Sequence, residues 1–128
     1  MKRKIMAVTL TAAMLAGLAA VPVWADDTGS DEGKVLNIYC WNEEFKSRLT
    51  DHYPGYEEVD GTHGKIGDVD VVWNITPSDD NAYQNNLDET LLKQADASAD
   101  DKIDLFLVEA DYALKYVNTD YTMPVADL

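Results

Sequence analysis

Three apolar segments, each followed by a polar turn and a helical pattern, constrain the fold of this chain more than any other feature. They span residues 34–41, 67–76 and 102–109. Each is almost continuous in apolar residues, which is typical of a strand covered on both faces. Helical spacing between them indicates a βαβαβ order. The sequence therefore predicts an α/β fold with a parallel sheet and flanking helices.

Polar side chains follow the first and third predicted strands. Ligands of open parallel sheets bind beyond the carboxyl ends of the strands, where the winding direction switches. Carboxylates and amides can hydrogen-bond to sugar hydroxyls, and an aromatic face can cover the apolar side of a sugar ring. We therefore expect a ligand-binding site formed by Trp41, Asn42, Glu43, Glu109 and Asp111.

Each of these five residues also has a structural interpretation that stays open at this point. Asn42 is a good helix cap, and Trp41 is large enough to belong to the core. Glu43 and Asp111 are placed where they would complement a helix dipole. Glu109 ends an apolar run, so its charge must face water, a partner or a ligand.

The remaining segments give less specific patterns. A first helix is expected from a cap at Asn42 to the break at Pro54, and residues 56–65 read as a polar, glycine-rich turn. A second helix, capped by Ser78, has an apolar stripe made of Tyr83, Leu87, Leu91 and Ala95. A short helix over residues 110–117 is expected to turn Ala113, Tyr116 and Val117 inward.

The first 25 residues have the pattern of a secretory signal peptide. A basic start (MKRK) precedes an uncharged apolar run over residues 5–21, and Pro22 and a small-residue box (VWA) follow. We expect cleavage after Ala25 and export to the periplasm or the extracellular surface, without a lipid anchor because no cysteine follows the box. Residues 26–33 (DDTGSDEG) lack large apolar side chains and predict a disordered linker. Residues 34–128 form the remaining domain.

The acidic composition limits the classes of partner. The 128 residues carry a net charge of −14, and because the first 25 hold three basic and no acidic side chains, the expected mature chain carries −17. Such a surface repels nucleic acid and anionic membranes, and it leaves neutral or cationic ligands open. The lone Cys40 permits no internal disulfide and is expected to be a buried hydrophobe. No cofactor or metal site is expected, since Asp60 and His63 form only one weak candidate pair.

The order and spacing of these elements resemble a family of transport proteins. The segments KVLNIYCWNEEF and DDKIDLFLVEADYALKYVNTDYTMPVADL look like the N-terminal lobe of bacterial extracellular solute-binding proteins of ABC importers, in the carbohydrate-binding branch that includes maltose-binding protein. The resemblance covers residues 34–128. By position, the turns at 41–43 and 109–111 resemble ligand-contacting segments of that family.

The resemblance implies a periplasmic-binding-protein-like (type II) fold of two lobes, which close on a small solute such as a sugar and then dock on membrane permease subunits. It implies a monomer that performs no catalysis. Three parallel strands leave open sheet edges, so we expect a truncated, N-terminal part of a longer protein. Two alternatives are a secreted glycoside-acting enzyme fragment that uses Glu109 and Asp111, and a truncated chain that acts only as an acidic surface partner.

Overall fold

The structure, a computed structural model, describes residues 33–127. The predicted signal peptide (1–25) and all but the last residue of the predicted linker (26–33) lie outside the described residues. The regular elements are β1 (Val35–Cys40), α1 (Glu44–His52), β2 (Tyr56–Glu58), β3 (His63–Ile66), β4 (Val69–Ile75), α2 (Ala82–Leu91) and β5 (Leu105–Phe106). Short 3-10 turns at Asp79–Asn81, Gln94–Asp96, Ala99–Asp101, Ala113–Lys115 and Val125–Asp127 complete the fold. No helix within this part of the chain is both long and apolar enough to cross a membrane.

The three predicted strands pair in parallel around β1. The strand order is β2-β3-β4-β1-β5, with β4 and β5 both parallel to β1. The chain therefore moves from β1 to one side of the sheet and returns across β1 to the other side, as expected for an α/β fold.

The two helices cover opposite faces of the sheet. On α1's side, Phe45 and Leu49 pack on a core that includes Ile38 and Cys40. Alternate residues of a strand face opposite sides, and Tyr39 accordingly joins the other core, which is built on α2. That core contains Tyr83, Leu87, Leu91, Ile103 and Tyr116. Cys40 is buried, as expected, and burial raises the pKa of its thiol.

The predicted turn over residues 56–65 is wrong, because most of it forms a β-hairpin. β2 pairs antiparallel with β3, and β3 pairs antiparallel with β4, so the five-stranded sheet is mixed. The Tyr56 ring holds the hairpin on the core, since its hydroxyl accepts a hydrogen bond from the Trp73 indole at 3.0 Å. A buried lysine adds a second link, because Lys46 Nζ donates to Gly61 O at 2.7 Å.

The helix boundaries and the third strand also differ from the predictions. The second helix starts at Ala82, after a 3-10 turn, and Ser78, at the N-cap position of that turn, makes no side-chain capping hydrogen bond. Ala95 is exposed, and residues 110–117 contain only a 3-10 turn with Val117 exposed. The third strand is reduced to Leu105–Phe106, and Leu105 is exposed at the sheet edge.

Side-chain hydrogen bonds compensate for the shortness of β5. The Asn37 side chain donates to Asp100 O at 2.7 Å and to Lys102 O at 2.9 Å, and its backbone N–H donates to Asp104 Oδ2 at 2.7 Å. These bonds fix the segment that leads into β5 against the middle of β1. Burial raises the pKa of Asp104, although the Asn37 N–H opposes that shift.

Candidate functional site at the carboxyl edge of the sheet

The turns after β1 and β5 emerge side by side at one edge of the sheet. The two strands are parallel neighbours, and their last paired residues are Tyr39 and Phe106. Because the chain winds first toward β4 and then back across β1 to β5, the winding direction switches between β1 and β5. This is the position at which doubly wound sheets bind ligands. We call it the carboxyl-edge site and define it by Trp41, Asn42, Glu43, Glu109 and Asp111.

The polar residues of the carboxyl-edge site are all exposed. Asn42 and Glu109 each lie three positions after the last paired residues of their strands, so they leave the sheet at the same level. Glu43, Glu109 and Asp111 take part in none of the ion pairs found within residues 33–127. Three carboxylates without an ion-pair partner among the described residues therefore border this edge, where they can accept hydrogen bonds from hydroxyl or ammonium groups.

Asn42 also has a local structural role. Its Oδ1 accepts a hydrogen bond from the Glu44 N–H at 3.0 Å, at the start of α1. The residue at the N-cap position is Glu43, which makes no side-chain capping bond. Asn42, the predicted cap, thus lies one residue before the N-cap position of the structure, and its bond holds the turn that presents Glu43.

Trp41 lies between the core and the edge. It is half-buried and packs against the α2 core, where its ring meets Tyr83 edge-to-face with 5.5 Å between centroids. Tyr83 is buried, so one edge of Trp41 is supported by rigid packing. The sequence left core and ligand roles open for Trp41, and a half-buried position is compatible with both.

Two tyrosines near the site were not predicted to belong to it. Tyr112 is half-buried, meets Tyr116 edge-to-face at 6.3 Å, and donates its backbone N–H to Glu109 O at 3.2 Å. Burial raises the pKa of Tyr112; the Glu109 N–H opposes the shift, and the charges of Glu109 and Asp111 raise the pKa further. The Tyr112 backbone is tied to Glu109 by this hydrogen bond. Tyr112 directly follows Asp111, which was the one available signal in the sequence.

The turn after β4 also reaches this edge of the sheet, since β4 is parallel to β1. Within it, Asp80 (φ 51) and Asn81 (φ 61) are consecutive left-handed residues. Asp and Asn tolerate this conformation better than other side chains with a Cβ, though it still costs free energy. Asn86 steadies the turn from α2 by donating to Thr76 Oγ1 at 3.1 Å. Sequence analysis assigned only a helix cap here.

The Asp60–His63 pair forms an internally hydrogen-bonded turn at the tip of the β2–β3 hairpin. Asp60 Oδ1 accepts from the backbone N–H groups of Thr62 and His63, both at 2.8 Å, and lies 2.9 Å from His63 Nδ1. The Thr62 N–H, followed by the His63 side chain, lowers the pKa of Asp60 to about 2. No group of three or more metal-ligating His, Cys, Asp or Glu side chains occurs in the described part of the chain.

Comparison with known proteins adds no family to this description. The chain matches no family model, no curated protein and no solved structure.

Proposed function

We propose that this chain is a ligand-binding lobe of an exported solute receptor, the extracytoplasmic component of a bacterial ABC import system, and that its solute is a carbohydrate. One observation carries the proposal. At the switch point between β1 and β5, exposed carboxylates with no ion-pair partner within residues 33–127 lie on the same sheet edge as the half-buried rings of Trp41 and Tyr112.

The chemistry of that edge suits a neutral polyhydroxylated ligand. Glu109 and Asp111 can each accept hydrogen bonds from two hydroxyl groups, and Asn42 can donate from its amide. An aromatic ring beside them can pack on the C–H face of a sugar. Hydrogen bonds to charged groups contribute about 1.5–3 kcal/mol each, which makes the carboxylates the main determinants of affinity.

In the proposed receptor, this lobe has the type II arrangement and a second lobe of a longer protein closes over the solute. Closure excludes water and strengthens the polar contacts. The closed form then docks on permease subunits in the membrane. The net charge of −14 argues against nucleic acid as a partner.

The test is a calorimetric titration with a panel of neutral trisaccharides (maltotriose, cellotriose and xylotriose). Glu109→Ala and Asp111→Ala should each weaken binding about tenfold or more, given the free energy of a charged hydrogen bond. Glu89→Ala, which removes an exposed carboxylate from α2, is the matched control and should leave the affinity unchanged. Equal affinities for all four proteins would refute the site.

Two further measurements separate this proposal from other functions. Turnover of chromogenic glycosides that is lost in Glu109→Ala would favour the glycoside-acting alternative. Tight binding of spermidine, with no binding of the trisaccharides, would retain a receptor but replace the sugar by a cationic solute.

A further inference from the structure

The Tyr83 phenol connects the two strands that carry the carboxyl-edge site. The residue lies in the first turn of α2 and is only 1% exposed. Its hydroxyl donates to Leu107 O at 2.7 Å and lies 3.1 Å from Tyr39 O. Tyr39 belongs to β1 and Leu107 directly follows β5. The hydroxyl therefore lies across the seam between these strands.

This contact lies where the pairing of the two strands ends. The last paired residues are Tyr39 and Phe106, and the Leu107 N–H donates to Tyr39 O at 3.0 Å. The next acceptor along the seam, Leu107 O, is taken by the Tyr83 hydroxyl. A side chain from α2 thus occupies the end of the ladder, immediately before the turns at 41–43 and 109–111 begin.

The ring of the same residue supports Trp41. The two rings meet edge-to-face with an interplanar angle of 76°. Aromatic pairs of this kind contribute about 0.5–1.5 kcal/mol beyond the area that they bury, enough to favour one orientation of the Trp41 ring. Burial also raises the pKa of Tyr83, so its hydroxyl stays protonated and remains a donor.

We propose that Tyr83 is the positioning residue of the carboxyl-edge site. Its hydroxyl sets the separation between the turns at 41–43 and 109–111, and its ring orients Trp41. Tyr83 touches no solute in this scheme. The expected effect on solute affinity rests on the proposed receptor function. The positions of the two turns and of Trp41 can be measured without a solute.

The experiment compares Tyr83→Phe with Tyr116→Phe in the full chain. Tyr116 is a matched control, since it belongs to the same buried core but its hydroxyl bonds to Asp88 Oδ1 at 2.9 Å. Both variants lose one buried hydroxyl and keep their rings, so similar losses of stability are expected. Measurements are made with and without sucrose, which favours the folded state if either variant unfolds.

Two readouts separate positioning from stability. In 5-fluorotryptophan-labelled protein, Tyr83→Phe should shift the Trp41 resonance, and hydrogen exchange should quicken at the amides of 41–43 and 109–111. Tyr116→Phe should change neither. Identical behaviour of the two variants in both readouts, with or without sucrose, would overturn the positioning role.

Maltotriose binding then tests the functional consequence. Tyr83→Phe should weaken binding about tenfold, as expected for losing a bond that organises the site, and Tyr116→Phe should stay within about twofold of the original chain. Equal affinity in both variants overturns the inference and leaves the proposed function standing. If the original chain binds neither the trisaccharides nor spermidine, the proposed function fails, and the resonance and exchange data alone decide the role of Tyr83.

Discussion

The substitution Gly64→Ala tests how the β2–β3 hairpin is attached to the sheet. Gly64 is buried in β3, and a Cβ built on it would lie 2.3 Å from the Tyr56 hydroxyl oxygen and 2.4 Å from Tyr56 Cζ. The Tyr56 ring therefore lies directly over the glycine. Because this hydroxyl also accepts the Trp73 indole N–H at 3.0 Å, the ring cannot move away without straining or breaking that bond.

The expected cost follows from these contacts. Forcing an extra methyl into a packed position costs about 1–3 kcal/mol, and losing a typical hydrogen bond costs about 1 kcal/mol more. Replacing glycine restricts the unfolded chain and returns about 0.4–1 kcal/mol. We expect Gly64→Ala to lower the free energy of unfolding by roughly 2 kcal/mol, with Tm falling about 4–8 °C per kcal/mol in a domain of this size.

The assay is urea unfolding followed by tryptophan fluorescence and circular dichroism. Gly61→Ala is the matched control, since Gly61 lies in the same hairpin, between β2 and β3, and its added Cβ would meet nothing within 4 Å. In a Tyr56→Ala background the cost of Gly64→Ala should vanish, because the clashing ring is gone. The reasoning is refuted if Gly64→Ala is as stable as Gly61→Ala, or if its cost persists without the Tyr56 ring.

Two further predictions concern the core and the hairpin tip. Leu87 is 0% exposed in the α2 core, so Leu87→Ala should cost about 2–5 kcal/mol in urea unfolding; Leu92→Ala, at a residue 75% exposed, should stay within about 0.5 kcal/mol. The pKa of Asp60 is lowered to about 2 in the folded chain, so its carboxylate should stabilise the folded state above about pH 4. This contribution should be lost as the pH falls toward 2. Thermal melts of Asp60→Asn should accordingly show a shallower loss of stability over that acid range, and an unchanged acid limb would contradict the assignment.

The central strands could be predicted from the sequence because each is a nearly continuous run of apolar residues. Residues 35–41 contain almost no polar side chains, which is typical of a strand covered on both faces. The end of α1 was equally readable, since Pro54 interrupts the helix and Gly55 adopts φ 90 directly after it. These signals are local, so they can be recognised without knowledge of the tertiary structure.

The hairpin could not be predicted, because its support comes from distant residues. β2 and β3 contain Tyr56 and Ile66 as their only large apolar side chains. What holds them is the pairing with β4 and the Tyr56–Trp73 bond, which joins residues 17 positions apart. A polar, glycine-containing stretch gives the same local pattern whether it is a loop or the edge of a sheet.

The predicted start of α2 was wrong for a related reason. Ser78 has the side chain that most favours a helix cap, but the left-handed pair Asp80–Asn81 delays the helix to Ala82. A tertiary bond from Asn86 to Thr76 steadies this arrangement. Local preference was outweighed by a contact across the turn.

The candidate site contains residues that could be predicted from the sequence and one that could not. Its polar residues follow the ends of predicted strands, so their position at one edge could be anticipated from the parallel order alone. Tyr83 could not be anticipated, because in the sequence it reads as one member of an apolar stripe. Its hydroxyl becomes informative only when β1 and β5 lie on either side of it. The turns supply the chemistry and α2 sets their spacing, so substitutions on the buried side of α2 should alter binding without touching the solute.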